Sequence, residues 1–304
     1  MTGRFALGAG SARRAGRAWR LAGLASWVAL AGTAVAFATT PPAPSEPAWG
    51  GFERGSDAGL RVTPTRIVFD GGFRSAELTL VNTGAVAATY RVALVRMRMS
   101  ERGAIDEVQD ALPGEAHAES LLRFSPRQVE LEPGATQTVR IQVRRPADLA
   151  AGEYRSHLVF RGLPPVSDTA GAVRTRGVRI ALQPVFGIAI PVIVRQGETH
   201  ASVTLGDLAL VSRDQPRLAL TMRRTGNRSV YGDLTVTHTP PGGRPRVVGR
   251  MRGLAVYVPN PVRIVEIPLQ LDPGVPIARG TLHATYTESV GDAELLAEAE
   301  LAFP

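Results

Sequence analysis

Along most of this chain, apolar and polar residues alternate with a period of two, and Gly, Pro and Asn interrupt the alternation at short intervals. Such patterning puts successive side chains on opposite faces of a strand, so the chain reads as short strands joined by turns. Arg66 to Asp70 is a short predicted strand closed by Gly71-Gly72. Ala76, Leu78 and Leu80 alternate with Glu77 and Thr79 until Asn82-Thr83-Gly84 ends the run. Tyr90, Val92 and Leu94 share one phase, and Val95, Met97 and Met99 take the other. That change of phase predicts a β-bulge near Leu94. Arg102 to Glu119 is polar and reads as loop. Phe124, Val129 and Leu131 precede the turn Glu132-Pro133-Gly134, Val139, Ile141 and Val143 alternate with polar residues, and Tyr154, Leu158 and Phe160 mark a further strand.

The stretch Gly177 to Gly197 reads as one long strand of two characters. Val178, Ile180 and Leu182 alternate with Arg179, Ala181 and Gln183, as on a surface, whereas Pro184 to Val194 is apolar on both faces, which predicts burial in a core. The apolar part is too short for a membrane helix, and Pro184 and Pro191 would break one. After a hinge at Gln196 to Thr199 a second series of strands follows: Ala201 to Val211, Leu218 to Arg223, Gly232 to His238, Leu254 to Val258, Ile264 to Leu269, Thr281 to Thr287 and Leu295 to Phe303. Strands at this spacing, with almost no helical periodicity, predict an all-β chain of two tandem antiparallel sandwiches, over 59–197 and 198–304.

Charge and composition alter the reading of the start of the chain. Arg4, Arg13, Arg14, Arg17 and Arg20 form an acid-free basic stretch, an apolar segment runs from Leu21 to Ala36, and small residues follow at Ala34, Ala36 and Ala38. This is the layout of a cleaved secretory signal peptide over 1–38, with an uncleaved anchor as the alternative. Residues 39–58 form a Pro- and Gly-rich tether. Without the first 38 residues the net charge falls from +8 to +3, so most of the basic excess belongs to the leader. No basic block with interleaved aromatics remains, which argues against a nucleic-acid partner. No stable membrane insertion is expected after cleavage. The chain has no cysteine, so an exported protein of this kind relies on its cores for stability.

Catalytic chemistry is missing from the pattern. The five histidines are scattered without metal-ligand spacing, and no nucleophile elbow, phosphate-binding loop or dinucleotide fingerprint occurs. Neither an enzyme nor a cofactor nor a metal site is expected.

Five blocks in order carry a resemblance: Thr63 to Phe69, Phe124-Ser125-Pro126, Leu131 to Gly134, Gly152 to Leu158, and Ile180 to Gln183 leading to Ile190-Pro191-Val192. Across residues 62–195 the chain resembles the PapD-like periplasmic chaperones of the chaperone–usher pilus pathway. The resemblance implies two immunoglobulin-like sandwiches, a periplasmic location in a Gram-negative cell, and pilin or fimbrial subunits and an outer-membrane usher as partners. It also implies that the last strand of the first sandwich is lent to a subunit lacking a strand, with Val178, Ile180 and Leu182 as the donated row. Arg66 matches the family's carboxylate-binding arginine, and Glu153 and Arg195 match two members of its interdomain ion-pair network. The family's lysine anchor in the last strand has no counterpart, since no basic residue lies between Arg179 and Arg195. A solvated arginine at 66 and an ordinary edge strand at 178–182 are the plainer alternatives. For the whole chain, the alternative is an exported immunoglobulin-like adhesion or scaffold protein.

Overall fold

The computed structural model describes residues 59–163, 172–175, 178–181, 187–212, 215–270, 279–289 and 293–303, with the backbone alone at 172–175, 178–181 and 212. The expected leader and tether, Leu182 and the segment 164–171 lie outside the described residues.

The strands are, in chain order, β1 (Leu60–Thr63), β2 (Ile67–Phe69), β3 (Ser75–Asn82), β4 (Ala88–Met99), β5 (Ile105–Val108), β6 (Leu122–Ser125), β7 (Gln128–Leu131), β8 (Thr136–Val143), β9 (Gly152–Leu163), β10 (Ala172–Thr175), β11 (Val178–Ala181) and β12 (Gly187–Gln196). There follow β13 (Ala201–Ser212), β14 (Arg217–Gly226), β15 (Val230–Thr239), β16 (Arg246–Val256), β17 (Val262–Pro268), β18 (Gly280–Glu288) and β19 (Leu295–Phe303). The fold is all-β, built from two immunoglobulin-like sandwiches.

In the first sandwich a sheet of order β1-β3-β8-β6 faces one of order β2-β12-β9-β4-β5, with β7 pairing the start of β4. The alternating residues meet in the middle: Leu78, Leu80, Val139 and Ile141 from one sheet against Phe69, Val92, Leu158, Phe160, Ile190 and Val192 from the other. Each such side chain contributes about 1.5–3 kcal/mol by leaving water. Asn82 ends β3 by diverting the chain to side-chain hydrogen bonds. Its Nδ2 donates to the Val86 and Leu131 carbonyls at 2.8 Å each, and its Oδ1 accepts from the Gly84 amide at 2.9 Å. The second sandwich packs β13-β14-β17 on β16-β15-β18-β19 around Leu218, Leu220, Met222, Leu234, Val236, Ile267, Leu282 and Tyr286.

A third apolar cluster explains where the sequence pattern misleads. Met99 and Ile193 of the first sandwich meet Ala255 and Tyr257 of the second, with Val68 and Tyr231 packed beside them. Ile193 is fully buried, yet it lies outside the first core. Ile188, Ile190, Val192 and Val194 face that core, whereas Ile193 faces the second sandwich. The doubly apolar part of β12 is therefore a strand covered on both sides. The same cause removes the expected bulge at Leu94. The β4–β9 register runs without a shift from Thr89↔Leu163 to Val95↔His157. Tyr90 and Val92 turn to the first core and Met99, on the opposite face, to the other cluster.

Two further expectations change. The polar stretch Arg102 to Glu119 contains β5, which pairs Met99↔Ile105 through Arg96↔Val108. It escapes pattern reading because it is exposed and held by charge. Arg161 of β9 pairs with its Glu107, and Arg96 of β4 pairs with Glu119 at 3.0 Å. The long strand expected from Gly177 to Gly197 is two strands in different sheets. β11 pairs antiparallel with β10, while β12 pairs antiparallel with β9 and parallel with β2. The proline at 184, between them in sequence, has no backbone donor for a continuous ladder.

Candidate functional site

Arg66 immediately precedes β2, where the chain passes from one sheet of the first sandwich to the other. Ile67 and Phe69 enter the core, so Arg66 and Val68 take the face turned to the second sandwich. The Arg66 guanidinium carbon lies 4.4 Å from the centroid of the Tyr231 ring. Its Nε and Nη2 are both buried and have no hydrogen-bond partner. These two nitrogens form one edge of the guanidinium, the fork that fits a carboxylate with two parallel bonds. Arg98 uses that same edge on Glu115, at 2.6 and 2.9 Å. Arg66 thus has a complete carboxylate-binding edge, desolvated and vacant of any protein group. It lines a cleft of about 430 Å3 together with Val68, Arg195, Arg228, Ser229 and Tyr231.

Glu153 and Arg195 are direct cross-strand partners on β9 and β12. Arg195 Nε donates to Glu153 Oε2 at 3.2 Å and its Nη1 to Asp70 Oδ2 at 3.2 Å. The Glu153 side chain is wholly buried. It also accepts from the Ser229 amide at 3.2 Å and from the Ser229 hydroxyl, which in turn accepts from the Val258 amide at 3.0 Å. The ion pair is therefore internal to the first sandwich, and the link to the second runs through the neutral Ser229. Neither Ser229 nor Asp70 carried a signal in the sequence, because a lone serine or aspartate acquires this role only from what docks on it.

Arg155 and His157 lie on the same face of β9. The Arg155 guanidinium carbon is 4.3 Å from the Tyr257 ring centroid, and the His157 ring meets Tyr257 edge-on at 6.4 Å. Burial, and then the neighbouring Arg155 charge, push the His157 imidazole down to about 3. An unfolded imidazole takes its proton near 6.5. The unfolded chain thus binds the extra proton throughout the window from 6.5 to about 3, and stability falls as pH drops through it, by at most about 1.4 kcal/mol per pH unit. Glu115 behaves differently. The Arg98 hydrogen bond holds its carboxyl at about 2, so its contribution is present above the ordinary 4.5 and is lost from there down to 2. His157→Phe should flatten the acid limb of stability between pH 6.5 and 4.5 and leave the steeper loss below 4.5. Urea unfolding midpoints across that range measure it, and an unchanged slope above 4.5 contradicts the assignment.

The candidate donor row is reached only in part. Val178 and Ile180 lie on β11, opposite Thr175 and Val173 of β10. Among the described residues this hairpin pairs with no other strand. Beyond it, β12 has an open edge. Gly187 to Pro191 pair with β9 on one side, and β2 joins the other side only from Val192 to Val194.

Comparison with known proteins bears on this geometry. Residues 59–197 match the family described as pili and flagellar-assembly chaperone, PapD N-terminal domain. No curated protein sequence matches the chain. Among solved structures, the YadV chaperone is 10% identical, with 80% of this chain and 98% of that chain covered and a TM-score of 0.42. A chain of the Salmonella enterica complex of SafA pilin with the SafB chaperone is 17% identical, covering 80% and 96%, with a TM-score of 0.39. The Pseudomonas aeruginosa CupB2 chaperone is 13% identical, covering 80% and 100%, also at 0.39.

Proposed function

We propose that this chain, whose residues 59–197 belong to the PapD N-terminal domain family, is a periplasmic chaperone that binds pilin or fimbrial subunits and delivers them to an outer-membrane usher. In this reading the subunit lacks one strand, which leaves an apolar groove and unpaired backbone groups. The chaperone fills the groove from the edge of its first sandwich, with Val178, Ile180 and Leu182 as the inserted row and ladder hydrogen bonds along the backbone. The open edge of β12 at Gly187 to Pro191 supports this mode, because it offers unpaired backbone next to the β10–β11 hairpin in sequence.

The observation that carries the proposal is the vacant edge of Arg66. A buried donor pair without a partner is costly, and a protein retains it where a ligand supplies the acceptor. The ligand here is the terminal carboxylate of the subunit. Glu153, Arg195 and Ser229 hold the two sandwiches together beside the cleft and so keep its width.

Arg66→Ala should weaken subunit binding by about 2–5 kcal/mol, the cost of leaving a desolvated carboxylate unpaired. It should leave the fold nearly intact, since neither lost nitrogen has a protein partner. Arg66→Lys should recover only part of the loss, because an ammonium is a point charge without the fork. Titration of purified subunit against the wild type and both variants measures this, and wild-type affinity for Arg66→Ala excludes the anchor.

A further inference from the structure

The cleft that holds Arg66 contains two more guanidinium groups, those of Arg195 and Arg228. Arg195 is committed, since Glu153 and Asp70 occupy its Nε and Nη1. Arg228 is not. Among the described residues its guanidinium has no hydrogen bond and no ion pair. Its backbone, in contrast, is fixed. The Arg228 carbonyl accepts from Nη1 of the buried Arg224 at 3.0 Å, and the next residue, Ser229, is held by Glu153 of the first sandwich and by the Val258 amide. A rigid turn of the second sandwich therefore presents an uncommitted cation to the cleft in which the first sandwich presents an uncommitted fork.

A carboxylate has about four lone-pair sites, and one guanidinium edge uses two of them. In a cleft with part of its water excluded, the remaining sites need donors, or the ligand loses part of what the fork gains. Two like charges on one cleft also repel each other, and an anion between them turns that repulsion into attraction. We infer that Arg228 is the second cationic contact for the carboxylate that Arg66 receives. Each sandwich then contributes one arginine to the C-terminal carboxylate of an extended polypeptide. The inference rests on the Arg66 reading above and gives the second sandwich a direct part in binding. The exposed Glu288 and Glu294, on the same cleft, disfavour a further anion and so select a single carboxylate on a segment without neighbouring acids.

The test uses the full chain and one short alternating apolar–polar peptide, synthesised as the free acid and as the C-terminal amide. The arginine Nε–H resonances are followed by NMR during titration of each form. The wild type should prefer the acid, and Arg228→Gln should reduce the ratio of acid to amide affinity about tenfold while leaving amide affinity unchanged. Arg228→Lys should restore most of the preference, because the second contact needs charge more than a fork. Arg228 is part-exposed and its side chain holds no other group, so these variants test the contact and not folding. If Arg66→Gln abolishes the preference and Arg228→Gln retains it in full, this inference is overturned and the Arg66 anchor stands. If the wild type binds acid and amide equally, both readings fall.

Discussion

Ile193→Lys is expected to undock the two sandwiches and to lower the unfolding midpoint by roughly 10 °C or more, on a scale of about 2–4 °C per kcal/mol for a chain of this size. Ile193 is fully buried against Met99, Ala255 and Tyr257. Its cross-strand partner is Arg155, itself buried, with Nε and Nη1 unpartnered. A lysine there loses the apolar contact and sets a second cation beside the first where neither is hydrated. Leaving one buried charge uncompensated costs about 3–5 kcal/mol, comparable with the whole stability of a small domain. An aspartate would be a weaker test, because Arg155 stands opposite to pair with it. The first core is not touched, since Val192 and Val194 face the other way. The expected signature is therefore a change from one cooperative transition to two, with increased interdomain distance in solution scattering. A single transition shifted by less than a few degrees would show that Ile193 does not couple the sandwiches.

Ile180→Asp is expected to abolish subunit binding while changing stability by no more than about 0.5 kcal/mol. Ile180 is opposite Val173 in the β10–β11 hairpin, which lies outside the sheets of both sandwiches. A charge at this position leaves both cores as they are. In the complex it would enter the subunit's apolar groove, where an unpaired carboxylate pays a desolvation cost of several kcal/mol. Co-purification of the subunit with each variant, beside circular dichroism melts, separates the two cases. Retained binding, or a melt as damaged as that of Ile193→Lys, would contradict strand donation.

Legibility followed the number of covered faces. Leu78 and Leu80 on β3, and Val139, Ile141 and Val143 on β8, alternate with exposed partners and are all buried. For strands with one face in water the sequence period alone names the core. On β4 and β12 the second face is covered by the other sandwich, and alternation fails there. Met99 then imitates a bulge and Ile193 an ordinary core residue. β5 fails for the opposite reason. With Ile105, Asp106 and Glu107 exposed it buries little, so no apolar period marks it.

The site divides in the same way. Arg66 could be named from the motif around it, and the sandwich class from strand spacing, since both depend on residues adjacent in sequence. Local patterning determined that this is an all-β chain, which positions form its two cores, and that it lacks the residue spacings of metal and nucleotide sites, because period, turn residues and motif spacing are properties of a few consecutive side chains. Only the tertiary structure decided that the Arg66 fork is buried without a partner, that Glu153 reaches Ser229, and that Arg228 shares a cleft with Arg66. Those are facts of how one sandwich docks on the other. Desolvation and pairing depend on residues far apart in sequence, and no period along either strand encodes them.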